Sequence, residues 1–183
     1  LCEKPMTLCG ADADRVLASA EKTDKFFMTA HVVRFMRAYA YLKKVVDEKK
    51  YGNLVRLDMK RVSSIPRWSW NNWFLDEKLS GGVTTDLSIH DFDFVQSMLG
   101  KPDSVESFYR PIKNDSAFVL AVMKYGDAVV TTEGTWYNAP VPFHADYYAR
   151  YSITATSNSS AAQYTITAKK STSARLRQLQ TSA

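Results

Sequence analysis

Leu54-Val55-Arg56-Leu57-Asp58-Met59-Lys60-Arg61-Val62 sets Val55, Leu57 and Met59 against Arg56, Asp58 and Lys60 in alternation. A period of two puts the apolar side chains on one face of a strand and the charges on the other. The stretch predicts a half-buried antiparallel strand, covered on one side only. It also divides the chain, because the sequence before it and the sequence after it follow different patterns.

Before it, Met36 to Lys50 predicts a helix with Tyr39, Leu42, Val45 and Val46 inward and lysines outward, stopped by Gly52-Asn53. Phe26-Phe27-Met28-Thr29-Ala30-His31-Val32-Val33 is short, apolar and rich in β-formers, and predicts a buried strand. Ala11 to Lys22 predicts a helix with a modest stripe of Val16, Leu17 and Ala20, capped by Thr7 or Asp12. With Leu1-Cys2 as the end of an earlier strand, the order is strand, helix, strand, the βαβ pattern of a parallel sheet.

After it comes an aromatic loop, Pro66-Arg67-Trp68-Ser69-Trp70-Asn71-Asn72-Trp73-Phe74. Ser80-Gly81-Gly82 then opens a helix expected to run to Leu99 and to close at Gly100-Lys101-Pro102. Strands are expected at Ser104–Tyr109, Ala117–Tyr125, Ala128–Trp136 and Tyr147–Ala155, with Gly126-Asp127 as a hairpin turn. From Thr156 the chain is rich in Ser, Thr and Ala; only Gln163–Ala168 reads as a strand, Ser171–Ala183 could be disordered, and the whole fits either a linker or an edge strand with a frayed terminus. The fold class is therefore α+β: a residual βαβ piece followed by a large, mostly antiparallel sheet backed by helices.

The composition narrows the functional classes. The chain has 183 residues and a net charge of +5, but Lys169, Lys170, Arg175 and Arg177 supply four of those charges. The rest of the chain is nearly neutral, so the phosphate-driven attraction that nucleic-acid binding needs is missing. No continuous apolar run reaches the 18 or so residues of a membrane span. The N-terminus lacks the basic and apolar regions of a signal peptide. Two cysteines, Cys2 and Cys9, make no disulfide framework and match no metal spacing, which points to free thiols in a reducing compartment, the cytoplasm.

Three features could carry chemistry. Asp86, His90 and Asp93 stand at i, i+4 and i+7 and would share one helical face. A carboxylate one turn from an imidazole can fix its tautomer and raise its basicity; the plainer alternative is a pair of surface charges around a satisfied histidine. A metal reading is weaker, with only His31 or His144 to add nitrogen. Lys4 precedes Pro5 at a strand end, the carboxyl edge where parallel sheets bind ligands, although an isolated lysine there is more often solvated. Arg67 beside Trp68, Trp70 and Trp73 could wall a sugar site, stack bases or simply pack on a sheet. Arg34 could bind a substrate or form a structural ion pair.

Taken together, Glu3-Lys4-Pro5 after a strand, His31-Val32-Val33-Arg34-Phe35 at the end of another, and Gly81-Gly82 followed by Asp86, His90 and Asp93 resemble the Gfo/Idh/MocA oxidoreductases. The likeness runs from Leu1 to about Gly134. It implies a remnant of a Rossmann domain at 1–34, an α/β substrate and oligomerisation domain at 35–155, and a basic tail at 156–183. It further implies NAD or NADP as cofactor, contacted by Glu3, Lys4 and Pro5, and a sugar, polyol or cyclitol as substrate. Lys4 would polarise the substrate oxygen, His90 would exchange its proton, and Asp86 would orient His90 or bind a neighbouring hydroxyl. Arg34, Trp68, Trp70 and Trp73 would line the substrate site, and the sheet would join a homo-oligomer.

The sequence departs from the family in having no Gly-x-Gly-x-x-Gly and in carrying Met36 where a proline is usual. The main nucleotide-binding unit is therefore expected upstream of Leu1, and the chain alone is expected not to catalyse. Alternatives are an NAD-dependent glycosidase of the same fold and a non-catalytic, sheet-mediated dimerisation module.

Overall fold

The computed structural model describes residues 1–114 and 116–139 in full, and the backbone of 147–157 and 160–169. His144 and the segment Ser171–Ala183 lie outside the described residues. Six strands make one sheet: β1 (Leu54–Ser64), β2 (Ser104–Lys113), β3 (Ser116–Tyr125), β4 (Ala128–Tyr137), β5 (Tyr147–Ser157) and β6 (Ser160–Lys169), in the order β2-β3-β4-β1-β5-β6. All neighbours are antiparallel except β1 and β4, which pair in parallel from Arg56↔Val129 to Ser64↔Tyr137. The expectation that β1 is antiparallel holds for its β5 edge only. Alternation reports which face is buried and says nothing about a neighbour's direction. Strand β6 carries the sheet past the boundary near Ala155 that composition suggested.

One face of the sheet is covered by α2 (Arg37–Asp47) and α4 (Ile89–Leu99). Tyr39, Leu42 and Phe94 pack there on Leu57, Met59, Met123 and Val130. Tyr39 and Phe94 meet edge to face with ring centres 5.0 Å apart. A second cluster joins Val83 and Leu87 to Ile65, Ala117, Val119 and Trp136. It is this cluster that seats the segment leading into α4. Gly126-Asp127 turns β3 into β4, and the Asp103 carboxylate accepts the Gly126 N–H at 2.6 Å.

Two further expectations are corrected. The segment 80–99 is not one helix. A short α3 (Glu77–Ser80) ends on Gly81 at φ +72°, Gly82 follows at φ +60° and ψ −157°, and Val83–Leu87 forms a single π turn closed by Ser88 N–H to the Val83 carbonyl, 3.0 Å. Only then does α4 begin. Both glycine conformations are costly for a residue with a Cβ, and a Cβ on Gly81 would lie 2.4 Å from that of Thr85. Glycine here breaks the helix that the apolar spacing alone suggested.

The second correction concerns Phe26–Val33. Among the described residues its ladder pairing is the parallel bridge Cys2↔Thr29, after which Val32–Phe35 turns into a 3-10 helix. Phe26 is fully exposed and Met28 more than half so. Its apolar residues suit a strand, but a parallel strand is buried only with neighbours and helices on it. The described residues give it one bridge. Helix α1 (Gly10–Ala20) between the two bridge segments has no buried residue. Among the described residues no helix is long and apolar enough to cross a membrane.

Candidate active site

The Cys2↔Thr29 bridge sets the two chain segments side by side, with Cys2 N–H on the Met28 carbonyl and Ala30 N–H on the Cys2 carbonyl, both 2.8 Å. Lys4 and His31 thus leave the same edge of the βαβ piece. The Lys4–Pro5 peptide is cis. From that edge Lys4 reaches across to the π turn: its Nζ donates to Asp86 Oδ1 at 2.8 Å and to the Asp86 carbonyl at 2.6 Å. Both side chains are largely sheltered. A charged donor on a sheltered carboxylate is held more firmly than a surface ion pair.

His90 follows one residue into α4. Burial, followed by the positive charges of Arg61, Lys4 and His31, pushes its imidazole down to about 3, so it is neutral at pH 7. Its position in the first turn of a helix disfavours the cation further. Its Nδ1 is buried and has no hydrogen-bond partner among the described residues.

Asp93 lies one turn further along α4 and receives Arg34 in a two-pronged ion pair, with Nε to Oδ2 at 2.7 Å and Nη2 to Oδ1. His31 Nε2 is 3.5 Å from the same Oδ1. Arg34 therefore occupies the ion-pair alternative that the sequence left open.

Asp86 and His90 share this site, but the carboxylate is taken by Lys4, and no hydrogen bond joins Asp86 to His90 among the described residues. The break at Ser88 means the two do not project from one continuous helix. In the aromatic loop, Trp73 stacks on Phe74 at 4.1 Å and Trp68 meets Phe74 edge to face at 5.2 Å. Trp68 and Trp70 nevertheless remain mostly exposed. Asn71 and Asn72, both at positive φ, make the corner that turns Trp70 outward.

One pair at the site escaped the sequence reading. Arg61, on the buried face of β1, donates from Nε to Asp91 Oδ2 at 2.9 Å and from Nη2 to Asp91 Oδ1 at 2.6 Å, and its Nη2 lies 3.3 Å from the Tyr39 hydroxyl. Both partners are almost wholly buried. The signal was present in the alternation itself, since positions 57, 59 and 61 share one face and the third is an arginine.

A family model described as the GFO/IDH/MocA C-terminal domain matches residues 39–159. The chain is 32% identical over 103 residues to myo-inositol 2-dehydrogenase of Thermotoga maritima, covering 55% of this chain and 28% of that protein. It is 30% identical over 115 residues to trans-1,2-dihydrobenzene-1,2-diol dehydrogenase of Sus scrofa, covering 60% and 32% respectively. The matched segment spans about a third of each relative's own length. Among solved structures, levoglucosan dehydrogenase in complex with NADH and levoglucosan superposes with a TM-score of 0.69 at 19% identity, over 98% of this chain and 54% of that one. At that identity the likeness concerns the fold.

Proposed function

The chain belongs to the GFO/IDH/MocA family, and from that premise we propose that it forms the substrate side of an NAD- or NADP-dependent oxidoreductase acting on a hydroxyl of a sugar, polyol or cyclitol. In this reading residues 1–34 are the cofactor-facing end of a dinucleotide-binding domain, residues 35–155 are the substrate domain, and the sheet joins copies of the protein. The observation that carries it is the reach of Lys4 to Asp86 at 2.8 Å, which brings an ammonium from the carboxyl edge of the βαβ piece to the turn that leads into His90. The residues suit a nicotinamide and an alcohol: Glu3, Lys4 and Pro5 lie at the edge where such sheets bind ligands, and Lys4 lies near His90, whose buried Nδ1 has no partner among the described residues.

The cofactor, when bound, supplies exchange of hydride with the substrate carbon. Lys4 presents its ammonium to the substrate oxygen and favours the form in which that oxygen carries more negative charge. His90, unprotonated at neutral pH, takes the hydroxyl proton and returns it in the reverse direction. Removing that proton as hydride departs lowers the barrier, because charge does not accumulate on the alcohol. Asp86 holds Lys4 in place and is a positioning residue. Trp68 and Trp70, with exposed ring faces, and Trp73 wall the substrate; Arg34 holds Asp93 on α4.

The test uses the polypeptide in which this chain is joined to a dinucleotide-binding domain. Absorbance at 340 nm is followed with NAD and with NADP over a panel of inositols, pyranoses and linear polyols. Cofactor reduction with at least one cyclic or linear polyol is expected. No reduction with any member of the panel, by a folded protein that binds the cofactor, would exclude the reading.

A further inference from the structure

The buried pair Arg61–Asp91 has no part in the proton or hydride steps above, yet it lies directly under them. It ties β1 to α4 at the residue that follows His90, through two hydrogen bonds of 2.9 and 2.6 Å, with Tyr39 of α2 as a third member. Fully buried ion pairs contribute little net stability compared with well-packed apolar residues, so stability alone does not account for this one.

We propose that Arg61 and Asp91 form a positioning pair for His90, fixing the first turn of α4 against the sheet and setting how tightly the imidazole holds a proton. Around His90 stand Lys4 from the N-terminal turn, His31 from the second bridge segment, Asp86 from the π turn, and Asp91 and Asp93 on its own helix. Arg61 from β1, with Tyr39 of α2 on its guanidinium, faces it too. Lys4 is offset by Asp86, and Arg34 by Asp93. Among the charges that disfavour protonation of His90, Arg61 exerts the largest effect. Asp91 tempers that effect and holds the guanidinium plane still. A bidentate fork on a buried carboxylate cannot swing away as a lysine could.

The inference rests on reading His90 as the proton acceptor, but its test needs no turnover. The chain has three histidines, so the imidazole signals of the labelled protein can be assigned with His90→Gln and titrated by NMR. In the wild type, His90 is expected to stay neutral through the whole range in which the protein remains folded.

In the double variant R61M/D91N, which removes both charges of the pair, the proton affinity of His90 is expected to rise at least tenfold, a shift of one pH unit or more. D91E, which keeps the fork and both charges, is expected to retain the wild-type behaviour. D91N, which leaves Arg61 untempered, is expected to keep His90 neutral throughout. A folded R61M/D91N in which His90 titrates as in the wild type overturns the proposal. So does a rise in D91N, and that variant decides alone should the double variant fail to fold. Failure here leaves the oxidoreductase reading standing, whereas absence of polyol oxidation leaves this titration unaffected.

Discussion

The first thirty-odd residues and the sheet-and-helix body contain similar apolar side chains and use them differently. In the body, Phe94, Val95, Leu57 and Val130 are wholly buried; in the N-terminal piece, Phe26 is fully exposed, Leu17 about half exposed, and Val33 alone among the apolar residues joins the core. Among the described residues, a βαβ unit with a single bridge between its strands has little to cover its own apolar residues. Among the described residues the tie between piece and body is largely polar: Lys4 on Asp86, with Arg34 and His31 on Asp93. The candidate active site is that tie. Its geometry rests on a handful of charge-assisted hydrogen bonds, while the core beneath it supplies the rigidity.

The contrast can be broken by mutation. Phe94→Ala is expected to cost about 3–5 kcal/mol in chemical denaturation, because it empties the centre of the larger cluster. Leu17→Ala in α1 is expected to stay within about 0.5 kcal/mol, as a half-exposed residue with no core contact should. Equal losses at the two positions would contradict the division.

Between these extremes lies the turn that feeds the site. Gly81→Ala is expected to cost about 2 kcal/mol, from its left-handed backbone together with the contact with Thr85. Circular dichroism melts of the variant measure that loss.

A further contrast is a pH dependence. His90 is protonated far more easily in the unfolded chain, near 6.5, than in the folded one, near 3. The unfolded state therefore binds more protons between those values, and stability falls as pH drops through that window, by up to about 1.4 kcal/mol per pH unit. His90→Gln should flatten this part of the urea-midpoint profile and leave the carboxylate-driven loss at lower pH. An unchanged slope would mean that His90 is not held neutral by the fold.

Much of this was legible in the residues. The alternation of Leu54–Val62, the helix around Leu42 and Val45, and the hairpin at Gly126-Asp127 are local patterns, and each element forms where its pattern lies. Lys4, Asp86 and His90 were marked by residue type and spacing, and the structure brings them to one edge.

What failed to show was contextual. Apolar β-formers at Phe26–Met28 specify a strand only if neighbours are present. Gly81-Gly82 opens a helix by its spacing, yet its φ angles make it a break followed by a π turn. The partnership of Asp86 with Lys4 in preference to His90 depends on a lysine 82 residues away, and that of Arg61 with Asp91 on a strand and helix meeting across the core. No local periodicity encodes either distance.

The central claim, that Lys4 polarises the substrate oxygen and His90 takes its proton for hydride exchange at a nicotinamide, is tested most directly by Lys4→Ala and His90→Ala in the polypeptide that includes the dinucleotide-binding domain. With a polyol identified as substrate, cofactor affinity is measured by fluorescence and turnover at 340 nm. Turnover is expected to fall by about 10²- to 10⁴-fold in each variant with cofactor affinity nearly unchanged. Near-wild-type turnover in either would contradict the account.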